Sequence, residues 1–401
     1  MRVERLTLKG EGVSQGLVIE RVLPGEEVEG IAVDGRIAQP RVLTPSVQRV
    51  AAPCRHYRAC GGCALMHGSD EFVAGWKQEV VRLALAGQGV EAPFRPILTS
   101  PPASRRRATL AGRRLKSGAL VGFHGRASGT VTEIDGCHLL DPALMAALPA
   151  MEALVEAGAA RKGEVRLTAT AFDEGVEVSV EGGKVLDADL RARLPPLALR
   201  HAIVRLSWNG EVLLQQVPPT LGIGRARVSP PPGVFLQATP QGEAALIAAV
   251  REALGPARKV ADLFAGCGTF ALPLAETAEV HAVEGNGALL TALDLAWRGA
   301  GGLKRVTTEV RDLFRRPLLP DELARFDAVV IDPPRAGAEA QIAELARAQV
   351  SRIAHVSCNP LTFARDARSL VTAGYRLDWV QVIDQFRWSS HVELAARFVR
   401  A

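Results

Sequence analysis

The sequence predicts an α/β protein in which a doubly wound, mostly parallel sheet follows two β-rich regions. From about residue 236 onward, short apolar runs alternate with helical segments, which is typical of a parallel sheet covered by helices. The last two runs, 377–383 and 392–399, have no helix between them, so we expect them to pair antiparallel. Before residue 236, β-prone runs separated by glycine and proline dominate.

Residues 1–50 form the first of three predicted domains. Their short β-prone runs, broken by glycines, are typical of a small β-barrel, and a loose arm is the alternative. Residues 51–235 form the second domain, which opens with three cysteines and continues mostly as β structure after one helix over 70–85. A proline run at 230–232 indicates a stiff linker to the third domain, residues 236–401.

Within the second and third domains, the elements follow from apolar runs and their boundaries. The central strands are predicted over 165–171 and 176–180, and over 203–208 and 212–216, with Asn209-Gly210 as the turn of a hairpin. The C-terminal strands are predicted over 260–264, 280–283, 328–331 and 353–356. The C-terminal helices are predicted over 269–276, 288–297, 338–349 and 361–371.

Composition and charge limit the classes of function. The 401 residues are 48% hydrophobic and 23% charged, so large buried cores are expected rather than disorder. The net charge of +5 favours a polyanionic partner without requiring one. The N-terminus lacks the apolar core of a secretory signal, and no run is long enough to span a bilayer. We therefore expect a cytoplasmic protein that needs no membrane, with reduced cysteines serving as ligands, nucleophiles or core residues.

A glycine loop after the strand 260–264 is the candidate cofactor site. Gly266 and Gly268 let the backbone turn tightly and leave room for a ligand, but the third glycine of the dinucleotide fingerprint is missing. Glu284 ends the next strand, where its carboxylate can accept hydrogen bonds from two ribose hydroxyls. Together these features predict an adenosine cofactor without a pyrophosphate, and S-adenosylmethionine fits. A plain α/β turn with a surface glutamate is the alternative.

The motif Asp-Pro-Pro-Arg at 332–335 follows the strand 328–331. Ligands of open α/β sheets lie beyond the carboxyl ends of the strands, so this stiff loop should border the active site and fix Asp332. Methyltransferases that act on exocyclic amines normally carry an aromatic residue after the two prolines. Arg335 stands there instead, which argues against an amine target, although a rigid connecting loop is the alternative.

Cys358 follows the strand 353–356 and precedes a helix. A cysteine near a helix N-terminus is expected to have a lowered pKa and to face a ligand in the cleft. The alternative is a small buried hydrophobic residue, which is our interpretation of Cys267. A thiolate that adds to C6 of uracil makes C5 a nucleophile, and a base must later remove the C5 proton. Glu393 is the candidate base, and His391 is a weaker one.

These residues together resemble the uracil-C5 RNA methyltransferase family over nearly the whole chain. The motifs are Phe-Leu-Gln at 235–237, the loop at 264–269, Glu284, Asp-Pro-Pro-Arg-Ala-Gly at 332–337, Ser-Cys-Asn-Pro at 357–360 and His-Val-Glu at 391–393. The resemblance implies a Rossmann-like class I methyltransferase domain, with Cys358 as the nucleophile and Glu393 as the base. It implies that the cofactor and the target base are bound by Gln237, Phe264, Thr269, Glu284 and Asp332.

Two departures from the family pattern leave the target open. The segment 386–390 reads Phe-Arg-Trp-Ser-Ser, where relatives usually carry proline, threonine and histidine. Thr239 stands where an asparagine is usual.

Four cysteines form a candidate metal site. Cys54, Cys60 and Cys63 have the spacing C-x5-C-x2-C, and Cys137 lies far downstream. Spacing alone leaves zinc, an iron–sulfur cluster and four scattered core cysteines open. Resemblance to the ribosomal-RNA branch of the family implies a structural [4Fe–4S] cluster and an N-terminal RNA-binding barrel of the TRAM type.

The same resemblance favours 23S rRNA as the substrate, with tRNA as the alternative, and we expect the chain to act as a monomer. The arginine-rich segment 105–116 would then contact phosphates, and a solvated charged strand is the alternative. The target uridine must leave its stack to reach Cys358.

Two rival hypotheses are methylation of cytosine C5 or of an amine on the same fold, and a non-catalytic RNA-binding iron–sulfur protein.

Overall fold

The computed structural model describes residues 1–126 and 128–400. The N-terminal strands are β1 (Arg5–Leu6), β2 (Gly12–Ser14), β3 (Leu17–Ile19), β4 (Glu27–Glu29), β5 (Arg36–Ile37) and β6 (Arg41–Thr44). The middle helices are α1 (Asp70–Ala86), α2 (Pro142–Ala146), α3 (Leu148–Gly158) and α4 (Ala188–Leu199). The middle strands are β7 (Leu98–Thr99), β8 (Arg107–Arg114), β9 (Ala119–His124), β10 (Val131–Glu133), β11 (Val165–Phe172), β12 (Gly175–Glu181), β13 (Ile203–Trp208), β14 (Glu211–Gln215), β15 (Leu221–Ile223) and β16 (Ala226–Val228).

The C-terminal region alternates strands and helices, as predicted. Its helices are α5 (Pro240–Leu254), α6 (Ala271–Leu274), α7 (Gly287–Gly299), α8 (Pro320–Leu323), α9 (Glu339–Arg347) and α10 (Pro360–Thr372). Its strands are β17 (Lys259–Leu263), β18 (Glu279–Glu284), β19 (Val306–Val310), β20 (Ala328–Ile331), β21 (Arg352–Ser357), β22 (Tyr375–Asp384) and β23 (Leu394–Arg400).

An eight-stranded sheet with the order β19-β18-β17-β20-β21-β23-β22-β7 organises this region. Strands β17 to β21 pair in parallel, and β23 runs antiparallel to both β21 and β22, which confirms the predicted antiparallel end. All four residues of β20 are buried because helices cover both faces of the sheet. The carboxyl ends of the parallel strands therefore meet at one edge.

A seven-stranded sheet, β10-β9-β8-β11-β12-β13-β14, forms the middle of the molecule. The predicted hairpin is confirmed, with Asn209 and Gly210 both at positive φ in the turn between β13 and β14. Helices α3 and α4 were not predicted. Because β12 and β13 are parallel, the chain needs a crossover between them, and α4 supplies it. Both helices bury apolar side chains against this sheet.

The N-terminal strands form a four-stranded sheet, β1-β2-β3-β5, and a two-stranded sheet, β4-β6. They enclose a small core of buried residues, Val3, Ile19, Val22, Val28 and Ile37. The predicted domain boundaries stay predictions. Side chains from both sides of the predicted boundary near residue 235 pack into common cores. Helix α1 packs with α10, and the β15–β16 hairpin contributes four buried residues to the core under the C-terminal sheet.

The proline run at 230–232 is packed rather than free. Pro230 is buried, and its carbonyl accepts a hydrogen bond of 2.8 Å from Arg205. Across residues 1–126 and 128–400, no helix combines the length and the apolarity needed to cross a membrane.

Candidate active site

The glycine loop after β17 lies against the carboxylate that ends β18. Phe264, Gly266 and Gly268 all have positive φ angles, and a Cβ on Gly268 would come within 2.9 Å of the Leu272 side chain. The Glu284 carboxylate accepts hydrogen bonds from the Gly266 amide at 3.1 Å and from the Asn286 amide at 2.9 Å. Glu284 is therefore fixed beside the loop, at the predicted position for a ribose contact.

A cleft of about 1750 Å3 opens at the carboxyl ends of β17, β18, β20 and β21. All seven residues predicted for catalysis and cofactor binding line it, namely Gln237, Phe264, Thr269, Glu284, Asp332, Cys358 and Glu393. The loops that carry Asp332 and Cys358 are tied together, because the Asn359 side chain donates a 2.9 Å hydrogen bond to the Arg335 carbonyl. The structure thus brings together residues that lie more than 150 positions apart.

Two residues of the site were missed from the sequence, one that lines the cleft and one that lies behind its wall. The Phe314 ring, in the loop after β19, lies 5.4 Å from the Phe264 ring at the cofactor end of the cleft. Gln385, at the end of β22, donates hydrogen bonds to the Gln237 side chain (2.6 Å) and to the Glu393 carboxylate (3.1 Å). No motif surrounds Phe314 in the sequence. Gln385 could have been found only from its proximity to Glu393.

The pKa of Cys358 differs from the prediction. Burial, together with the nearby carboxylates of Glu393 and Asp332, raises the pKa of this half-buried thiol to about 12, although Arg335 and a backbone hydrogen bond act in the opposite direction. The N-terminus of α10 offers little compensation, because the Asn359 side chain already accepts from the Leu361 amide at 3.1 Å. The predicted lowering of the Cys358 pKa is therefore wrong for the ligand-free protein.

Carboxyl groups held away from bulk water give the cleft a preference for cations. Burial raises the pKa of Asp332 to about 7. Burial and the Asp332 charge raise the pKa of Asp262, beneath the loop, to about 8, and they hold the pKa of Glu393 well above its usual range. A cation in the cleft would favour the charged form of all three groups. The site therefore suits a positively charged cofactor.

The arginine-rich segment 105–116 only partly faces solvent. Arg113 and Lys116 are exposed, and the expected contact with phosphates stays a prediction. The buried Arg106 guanidinium pairs with Glu243 at 2.5 Å and donates to the Gln237 carbonyl. Arg107 donates to the Val234 carbonyl at 2.9 Å. These two arginines fix the irregular segment that leads into α5 and carries Gln237, whereas Arg105 lines the cleft.

Thr239, one of the two departures from the family pattern, has a clear structural role. Its hydroxyl caps α5 by accepting a 3.0 Å hydrogen bond from the Gly242 amide, as an asparagine at that position could also do.

The four predicted metal ligands surround one small cavity. Its walls carry the free thiols of Cys54, Cys60, Cys63 and Cys137 and several apolar side chains. Burial raises the pKa of Cys60 and of Cys63, and the neighbouring thiols contribute. Within the part of the chain that the structure describes, no three such side chains converge on a single metal ion. Four cysteine thiols are a ligand set that both structural zinc ions and iron–sulfur clusters use.

Comparisons with known proteins agree with this geometry. The family described as tRNA (Uracil-5-)-methyltransferase matches residues 235–400. An RNA methyltransferase of Caulobacter vibrioides is 46% identical over 389 residues, which cover 94% of this chain and 93% of the relative. The 23S rRNA (uracil(1939)-C(5))-methyltransferase RlmD of Halomonas elongata is 34% identical over 425 residues, covering 98% of this chain and 87% of that protein.

A solved structure resembles the whole fold. The Pyrococcus abyssi tRNA (uracil-54, C5)-methyltransferase in complex with S-adenosyl-L-homocysteine superimposes with a TM-score of 0.76 at 22% identity, covering 99% of this chain and 98% of that one. The fold therefore agrees with the predicted class. The chain belongs to the family of S-adenosylmethionine-dependent RNA uracil-C5 methyltransferases.

Proposed function

We propose that this enzyme methylates C5 of a uridine in 23S rRNA through a covalent bond between Cys358 and C6 of the base. The observation that carries the proposal is that the Cys358 thiol and the Glu393 carboxyl line one cleft together with the cofactor loop. They lie close enough for the Glu393 charge to raise the pKa of Cys358. This chemistry needs at least a nucleophile and a general base that face the same pocket for the target uracil.

The reaction requires two proton transfers by groups of this chain. Cys358 gives its proton to solvent water, and its sulfur bonds to C6, which moves the electrons of the C5–C6 double bond onto C5. The bound S-adenosylmethionine supplies the methyl group that C5 accepts. Glu393 then removes the remaining proton from C5, and the electrons of that C–H bond re-form the ring double bond as the sulfur of Cys358 leaves C6. The hydrogen bond from Gln385 holds the Glu393 carboxylate in place.

Five residues would hold the cofactor and the target base. Phe264, Thr269 and Glu284 line the end of the cleft at the glycine loop, where the adenosine would lie. Gln237 and Asp332 line the part of the cleft that also contains Cys358 and Glu393. The pKa values of Asp332 and Glu393 would fall beside a sulfonium cation, because an opposite charge favours the carboxylate. Glu393 would then be in the form that can accept a proton.

The choice of 23S rRNA is supported by the Halomonas relative, whose name gives that substrate. A tRNA substrate is the second candidate, because the matched family and the Pyrococcus structure carry tRNA in their names. We further propose that the enzyme works as a cytoplasmic monomer.

We expect the purified protein to transfer labelled methyl groups to unmodified 23S rRNA, and the digested RNA to contain 5-methyluridine. Unmodified tRNA serves as the competing substrate in the same assay. Labelling of tRNA alone would overturn the rRNA assignment, and 5-methylcytidine or a methylated amine would overturn the chemistry. Absence of any transfer would favour a non-catalytic RNA-binding protein.

We propose that Cys54, Cys60, Cys63 and Cys137 hold a structural [4Fe–4S] cluster. Protein purified without oxygen should be brown and contain iron and acid-labile sulfide in about equal amounts. The Cys63→Ser variant should lose most of the iron, because one of four thiolate ligands is removed. Colourless protein that contains zinc would contradict the assignment.

A further inference from the structure

The segment 384–391, which connects β22 to β23, forms one wall of the cleft beside Glu393. Phe386 and His391 both line the cleft, and their rings meet edge to face with centroids 5.6 Å apart. This is also the segment whose sequence departs from the family pattern. What fixes its conformation should therefore influence how the target base is held.

Trp388 connects this segment to the cysteine region, residues 54–66. Its backbone has a φ of +57°, which a non-glycine residue rarely adopts. Its carbonyl accepts hydrogen bonds from the amides of Ala64 (2.8 Å) and Leu65 (2.9 Å), the two residues that follow Cys63. The unusual backbone conformation is thus held by the cysteine region itself.

The side chain of Trp388 strengthens the same connection. The indole is buried in a cluster with Tyr57, Met66 and Leu139, and three of the four cysteines pack against that cluster. Its Nε1 donates a 3.1 Å hydrogen bond to the Asp70 carboxylate in the first turn of α1. Arg387 pairs with the same carboxylate and lies over the indole ring at 4.9 Å.

The start of the segment is anchored independently of Trp388. The buried Lys77 ammonium contacts Asp384 at 2.5 Å and donates to the Phe386 carbonyl at 2.9 Å. The Phe386 backbone is therefore held by α1, and Arg387 adds contacts to Asp70 and to the Ser100 carbonyl, whereas the Trp388 backbone is held by the cysteine region. Loosening the cysteine region would free only this second part. The glycine loop and Glu284 do not contribute to either anchor.

We propose that Trp388 is a positioning residue that couples the cysteine region to the wall of the target-base pocket. This inference rests on the proposed function in one respect, namely that the pocket receives a uridine. When the cysteine region is intact, two backbone hydrogen bonds and the indole contacts hold the turn from which His391 enters the cleft. When it is disturbed, the pocket wall shifts and the cofactor end of the cleft does not.

The first test compares Trp388→Ala, Trp388→Phe and the wild-type enzyme. Trp388→Ala should lower kcat/KM for RNA by about 10²-fold, because a misplaced pocket wall costs that much, while the affinity for S-adenosylhomocysteine stays unchanged. Trp388→Phe keeps the ring and should recover part of the loss. The matched control is Trp208→Phe, which removes another buried indole that donates to a carbonyl, here that of Lys184, far from the cleft. An equal loss in the control, or none in Trp388→Ala, would overturn the inference.

A double-mutant cycle tests the coupling to the cysteines. If Trp388 transmits the effect of the cysteines, the variant with both Cys63→Ser and Trp388→Ala should have a kcat/KM for RNA close to that of the more damaged single variant. If the fold-loss of kcat/KM in the double variant equals the product of the two single fold-losses, Cys63 and Trp388 act independently. That result would overturn the inference. Thermal unfolding and S-adenosylhomocysteine binding of each variant identify any general loss of folding.

A readout without activity separates this inference from the proposed function. Alkylation of Cys54, Cys60, Cys63 and Cys137, followed by mass spectrometry, should be faster in Trp388→Ala than in wild-type protein. Equal rates would overturn the coupling. If wild-type enzyme forms no 5-methyluridine, the proposed function fails, and the alkylation rates still decide the role of Trp388.

Discussion

Replacement of Cys358 by alanine is expected to lower the methylation rate by at least about 10⁴-fold, because it removes the sulfur that we propose bonds to C6. The change removes only a half-buried thiol at the end of β21, so the fold and the affinity for S-adenosylhomocysteine should be retained. Loss of activity with retained cofactor affinity would place the defect in the chemical step.

The covalent bond itself can be trapped with RNA that carries 5-fluorouridine at the target. Fluorine cannot be removed from C5 as a proton, so the wild-type enzyme should stay attached to this RNA after denaturation. The Cys358→Ala variant should form no such complex. The matched control is Cys267→Ala, which removes the other thiol at the cleft and should still be trapped. A trapped complex with Cys358→Ala would mean that another residue is the nucleophile.

Replacement of Glu393 by glutamine is expected to stop the reaction after methyl transfer. Turnover should fall by about 10²- to 10⁴-fold, the usual contribution of a general base. Because the C5 proton stays in place, methylated RNA should accumulate as a covalent complex even without fluorine. The wild-type enzyme, given the same RNA, should show no accumulation. Rapid turnover by the variant would remove Glu393 from this role.

The pH dependence of complex formation provides a second measurement on the same variant. Since burial and the Glu393 charge raise the pKa of Cys358 to about 12, the thiolate fraction and the rate of bond formation should increase from pH 7 to pH 9. Removal of the Glu393 charge lowers the Cys358 pKa, because a like charge no longer opposes the thiolate. With RNA that carries 5-fluorouridine, which should trap both proteins, the Glu393→Gln variant should therefore form its complex at lower pH than the wild-type enzyme. An unchanged profile would contradict the coupling of these two groups.

The main elements of the catalytic region could be predicted because they depend on local patterns. The run 328–331 is a strand in the structure with the predicted limits, since four consecutive apolar residues between polar turns suit a strand buried on both faces. The helix predicted over 269–276, after the glycine loop, is shorter in the structure, because residues 269 and 270 still belong to the turn and α6 covers Ala271–Leu274. Parallel pairing then brings the ends of β17, β20 and β21 together.

The sequence by itself therefore determined the strand and helix alternation of the C-terminal region, seven of the residues that line the cleft and the family to which the chain belongs. Only the tertiary structure decided the protonation of Cys358, the inward direction of Arg106 and the contact of Trp388 with the cysteine region. Each of these depends on groups that are distant in the chain. A pKa follows from burial and from charges within a few ångströms, which a local pattern does not encode.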